Sequence, residues 1–78
     1  MNDQPSQPAP PRVLDVVALT ADRVDVGLSR GQVGTVVEDW GDGTFEVEFV
    51  DPSGKTYAVA TINAAHLMVL RYTPLKAA

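Results

Sequence analysis

The sequence predicts an all-β fold, a small barrel of five strands, on three observations. After residue 12 the apolar residues are rich in valine and recur with a period close to two, as they do when side chains alternate between the faces of a strand. Two short stretches, Trp40-Gly41-Asp42-Gly43 and Asp51-Pro52-Ser53-Gly54, hold the Gly, Pro and Asp that tight turns demand. The one helix-like signal, Asn63-Ala64-Ala65-His66, is long enough for a single turn.

The chain opens with MNDQPSQPAPPR, with prolines at positions 5, 8, 10 and 11 set among Gln, Ser and Asn. Such a composition buries too little apolar surface to offset the entropy of ordering. Residues 1–12 are therefore expected to form a disordered, Pro-rich tail. Pro5-Ser6-Gln7-Pro8 meets the loose PxxP pattern of ligands for Pro-binding grooves, and a plain solvated leader is the simpler reading. The folded domain is assigned to residues 13–74, with 75–78 as a C-terminal tail.

Residues 13–19 form the first expected strand, apolar on both sides of Asp15 and hence covered on both faces. A polar stretch over residues 20–31 forms a long loop. Residues 32–38 resume a strand, and the two glycines around Asp42 permit a turn with positive φ at little cost. In Thr44-Phe45-Glu46-Val47-Glu48-Phe49-Val50 the alternation is strict, with Phe45, Val47 and Phe49 inward and Glu46 and Glu48 outward. Pro52 pre-sets φ in the next turn, and residues 55–61 make the fourth strand. Asn63 caps a helical turn, and residues 67–72 complete the set. This order of elements, with a long first loop, two tight hairpins and one helical turn before the last strand, is that of an SH3-like barrel, which hides most of its strand edges.

The segments Val16 to Thr20, Gly27 to Glu38, Phe45 to Phe49, Gly54 to Ala58 and His66 to Tyr72 together resemble a bacterial family of small SH3-like proteins, the domain-of-unknown-function family with serial number 4926. The resemblance implies a fold and little biochemistry. Some members of that family are encoded beside small toxin-like proteins, so it also implies an antitoxin-like or immunity-like role. The Gly31-x-x-Gly34-x-Val36 core further resembles KOW-type ribosomal and transcription-elongation domains, and the SH3-like part of the nitrile hydratase β subunit with its stand-alone accessory relatives. These imply, respectively, a nucleic-acid-associated domain and an accessory or assembly domain of a larger enzyme.

Ten acidic against six basic residues give a net charge of −4. Affinity for a phosphate backbone comes mainly from clustered Lys and Arg. Here the six cations are scattered, and Glu38, Asp39, Asp42, Glu46 and Glu48 crowd the central hairpin. Nucleic acid is not the expected partner. The absence of cysteine removes disulfides and thiolate metal sites and suits a reducing compartment. With no signal-peptide pattern and no apolar run of roughly 18 residues, a cytoplasmic protein without a membrane contact is expected. At 78 residues the chain is near the size at which a single core barely suffices.

No cofactor, metal or catalytic residue is expected. Gly27, Gly31 and Gly34 precede a strand, whereas a phosphate-cradling loop needs a following helix. Their role is read as backbone, with Gly34 allowing a strand bend or bulge. His66, the single histidine, lacks the further ligands of a zinc site and is read as a polar residue at a turn. Glu46 and Glu48 sit about 7 Å apart on one outward strand face in contact with water, and solvated carboxylates make poor acid–base pairs. Ser29 and Ser53 have no histidine near them in sequence. The expected function is a non-catalytic protein-interaction module that engages a basic partner through Glu38, Asp39, Trp40, Asp42, Glu46 and Glu48. Trp40 is either an exposed anchor or folds back onto Phe45 or Tyr57. An SH3-type peptide groove is not expected, because residues 20–31 contain no aromatic side chain.

Overall fold

The computed structural model describes residues 9–74. Five strands, β1 (Val16–Leu19), β2 (Val33–Asp39), β3 (Thr44–Val50), β4 (Thr56–Asn63) and β5 (Leu67–Val69), form one sheet in the order β4-β3-β2-β1-β5. Every pairing is antiparallel. Single 3-10 turns at Val24–Val26 and Ala64–His66 are the helical elements among the described residues. The all-β class, the five strands and the short turn before the last of them match the sequence expectation.

The alternation of β3 decides what is core. Phe45, Val47 and Phe49 are buried and meet Val17 and Leu19 of β1, Val36 of β2, and Ala60 and Ile62 of β4. Leu28, from the long first loop, joins the same cluster. A backbone bridge between Arg23 and Leu28 folds that loop into a small hairpin that carries Leu28 inward. Burying side chains of this kind stabilises by about 1.5–3 kcal/mol each. Gly41 and Gly43 take φ of 81° and 90° and close the β2–β3 turn, the left-handed conformation in which a side chain is strained. Asn63 accepts a hydrogen bond from the Ala65 N–H at 2.8 Å and so caps the second 3-10 turn, as its residue type predicts.

Several boundaries differ from the sequence reading. The first strand starts at Val16 rather than residue 13. The Arg12 N–H donates to the Asp15 carboxylate at 2.8 Å, and Leu14, at φ 79°, turns the chain so that its N–H donates to the Val36 carbonyl. Val13 and Leu14 are consequently exposed. β5 stops at Val69 because β1, its partner, is four residues long. Pro11 is buried, so the packed chain begins two residues before the expected domain boundary at residue 13. Residues 1–8 of the expected tail and residues 75–78 lie outside the described residues. Gly34 is not the bulge. It stays in register opposite Val17, and the irregularity falls between Val36 and Glu38. A Cβ on Gly34 would lie 2.6 Å from Val47 Cγ1, 2.8 Å from the Glu48 carbonyl oxygen and 2.9 Å from Phe49 Cδ2. The glycine is required by this close approach of strands over the core.

Candidate functional site

The outer face of the β2–β3–β4 sheet is built in cross-strand rows. Val16, Thr35, Glu48 and Val59 are consecutive neighbours in one row, and Glu38, Glu46 and Thr61 in the next. Trp40 continues the hairpin beyond them, with its N–H donating to the Thr44 carbonyl. Glu38 reaches this face because Val37 is an extra residue in β2. With unbroken register Glu38 would stand opposite Phe45, on the core side. The bulge places Glu38 opposite Glu46 and leaves Asp39 opposite Phe45, at the end of the strand.

Two of the glutamates are positioned by threonines of β4. The Thr61 hydroxyl donates to Glu46 Oε1 at 2.6 Å, and the Thr56 hydroxyl donates to Glu48 Oε2 at 2.6 Å. The Trp40 indole N–H makes a long hydrogen bond to the same Glu46 oxygen at 3.4 Å. Trp40 is 54% exposed. Its ring therefore lies along the acidic face, and the packing of Tyr57 against Phe49, with ring centroids 6.2 Å apart, proceeds without it. Among the described residues the one ion pair is Arg23 with Asp25, so Glu38, Glu46 and Glu48 have no cationic partner there.

The six residues expected to form the site divide into two groups. Glu38, Trp40, Glu46 and Glu48 share the outer face. Asp39 and Asp42 serve the turn: Asp39 accepts from the Gly41 N–H at 2.9 Å, and Asp42 accepts from the Thr44 N–H at 3.1 Å and the Thr44 hydroxyl at 2.6 Å. The Thr44 hydroxyl, followed by the Thr44 N–H, holds the Asp42 carboxyl below its ordinary range. Thr56 and Thr61 were missed by the sequence reading. Their signal is present as threonines on a strand paired with a glutamate-bearing one, but it becomes legible only once register places each against its glutamate.

Elsewhere, a cleft of about 380 Å³ is lined by Ala9, Pro10, Arg12, Asp15, Val69 and Arg71. It sits at the β5 end of the sheet and is lined by two of the six cations and by the Asp15 carboxylate. Among the described residues no three His, Cys, Asp or Glu side chains are grouped to hold a metal ion. None of the described helical turns is long and apolar enough to cross a membrane. His66 is exposed, and its carbonyl accepts from the Thr20 N–H, which ties the second 3-10 turn to the first loop.

A family model described as Domain of unknown function (DUF4926) matches residues 13–69. The comparisons with curated proteins and with solved structures return no match.

Proposed function

From the premise that the chain belongs to the DUF4926 family, we propose that it is a cytoplasmic, non-catalytic protein-interaction module that binds a basic protein through the outer face of its central hairpin. The observation that carries this reading is the placement of Glu38, Glu46 and Glu48 on one face without a cation among the described residues, beside an indole that is more than half exposed. Like charges directly opposite on neighbouring strands are destabilising. A surface that keeps such a pair is suited to a partner that supplies the positive charge. The aromatic ring adds what charge alone lacks, since electrostatic complementarity mainly speeds encounter whereas a desolvated aromatic slows release. A toxin-like protein held in this way, in keeping with the antitoxin-like role, would carry the matching basic surface.

Affinity purification from the native host followed by mass spectrometry identifies the partner, which is expected to be a basic protein. Surface-plasmon kinetics at two salt concentrations then test the face. Glu46→Lys with Glu48→Lys should lower the association rate and weaken its salt dependence, and Trp40→Ala should mainly raise the dissociation rate. Wild-type rates in both variants would remove the hairpin from the interface.

A further inference from the structure

The outer edge of β4 adjoins the acidic face and is open at Val59, whereas at Thr61 the Arg23 guanidinium occupies it. β4 ends the sheet, and at eight residues, Thr56–Asn63, it is the longest strand. Edge strands are normally blunted by shortness, proline, charge or a covering segment, because an unpaired row of N–H and C=O groups invites another strand. The run Tyr57-Ala58-Val59-Ala60-Thr61 contains no charged residue, no proline and no glycine. Tyr57 and Val59 are 46% and 51% exposed. The Arg23 guanidinium, held by Asp25 through two hydrogen bonds of 2.9 Å, donates to the Thr61 carbonyl at 2.8 Å. That contact shows that the Thr61 carbonyl points away from β3. By the two-residue period of an antiparallel strand, the N–H and C=O of Val59 point the same way. Among the described residues no backbone group pairs with Val59 on that side.

We infer that β4 takes up an extended, basic segment of the partner as a sixth strand. This rests on the acidic-face reading above and gives it a binding mode, in which main-chain hydrogen bonds supply affinity and alternate side chains supply specificity. Charge complementarity selects this occupant. A strand added at the usual spacing of about 4.8 Å sets its outward residues beside Val59 and, where its N–H displaces the Arg23 guanidinium from the Thr61 carbonyl, beside Thr61; Glu48 and Glu46 are the next neighbours in those two rows. A Lys or Arg at each of these two positions, one residue apart, reaches across the short side chains of Val59 and Thr61 to the carboxylates. The residue between them faces the Ala58 and Ala60 side, where small side chains leave room for an apolar one. A second copy of this chain lacks the complementary charge: its own β4 run is neutral, and its hairpin is equally acidic.

The test uses the full-length protein and two synthetic peptides of equal charge, capped at both ends: the alternating peptide Lys-Val-Lys-Val-Lys-Val-Lys and the same sequence with the backbone nitrogens of its lysines methylated. Opposite Val59 and Thr61 the lysine N–H groups are the ones that face β4, so methylation removes the strand-forming donors and leaves the charge unchanged. The alternating peptide is expected to bind at least tenfold more tightly and to slow hydrogen exchange at the Val59 amide, with Glu46→Gln and Glu48→Gln together weakening it. Equal binding of both peptides, lost in the glutamine variants, overturns strand addition and leaves the acidic-face reading standing. Tight binding of the alternating peptide alone, unchanged in the glutamine variants, retains the edge and overturns the acidic face. Binding of neither peptide overturns the inference, as does Val59 protection without peptide accompanied by doubling of the mass in solution, which makes the edge a copy-to-copy contact.

Discussion

Glu38 of β2 and Glu46 of β3 stand directly opposite each other, and a one-residue bulge at Val37 puts them there. The bulge resolves a conflict of parity. Val36 is needed in the core, and strict alternation would carry Glu38 to the same side, against Phe45. The extra residue sends Glu38 outward, exchanging a charge on the core side for a like-charge pair on the outer face, with Glu38 exposed and Glu46 half-buried, which is the smaller cost. The same shift assembles the acidic face, so core formation and the candidate interface depend on one backbone irregularity.

Phe49 tests the core. It is fully buried, whereas its neighbour Glu48 projects to the outer face. Phe49→Ala is expected to cost about 3–5 kcal/mol, enough to unfold so small a domain. Glu48→Ala loses the hydrogen bond from Thr56 and should cost no more than about 1 kcal/mol. Denaturant titration distinguishes the two, and equal losses would mean that the faces of β3 are reversed.

Gly34 tests the close approach of strands. A Cβ at this position meets a backbone carbonyl and two core side chains within 3 Å. The carbonyl cannot rotate away as the end of a flexible side chain can. Gly34→Ala should therefore destabilise by about 1–3 kcal/mol, the range for overpacking. A neutral result in thermal unfolding would show that β2 and β3 separate freely.

The features legible in the sequence are those with a local cause. The alternation of β3, the glycine turn and the Asn63 cap each depend on residues within a few positions, and each forms as read. The bulge at Val37 carries no glycine or proline signal, because its cause is a demand from Val47 and Phe45 across the ladder. Leu14 at positive φ is equally silent in sequence, since it is imposed by Asp15 and Val36. Gly34 was legible as a special position, but its reason was not, because that reason is the approach of another strand. The acidic character of the hairpin was visible from composition. Which acids share a face was not, since Asp39 and Asp42 turn out to bind their own backbone turn.

Asp51 sets part of the acid stability. Its Oδ1 accepts from the Ser53 hydroxyl at 2.7 Å and from the N–H groups of Ser53 and Lys55 at 2.9 Å. These bonds, that of the Ser53 hydroxyl first, hold its carboxyl below the ordinary value of 3.8. A carboxyl depressed in the folded state binds fewer protons there than in the unfolded chain. Its stabilisation is therefore complete above the ordinary value and lost as pH falls through the folded one. Asp51→Ala should be less stable than wild type at neutral pH, and the two curves should converge below about pH 4. A constant gap in a pH series of denaturant titrations would assign the role of Asp51 to something other than its charge.

Glu38 separates stability from binding. Because it faces Glu46 across the ladder and has no cationic neighbour among the described residues, Glu38→Lys replaces a like-charge pair with an opposite-charge pair. Such cross-strand pairs contribute roughly 0.2–1 kcal/mol, so the variant should unfold at a higher denaturant concentration than wild type. The same substitution places a cation in the centre of the acidic face, where it competes with the partner's own positive charge for Glu46. Association with the basic partner should slow, most of all at low salt, where the interaction is least screened. A gain in stability together with a loss of association rate is expected only if the pair is retained for binding at some cost to the fold. A more stable variant that binds as wild type does would leave the pair without that explanation and would place the partner elsewhere on the sheet.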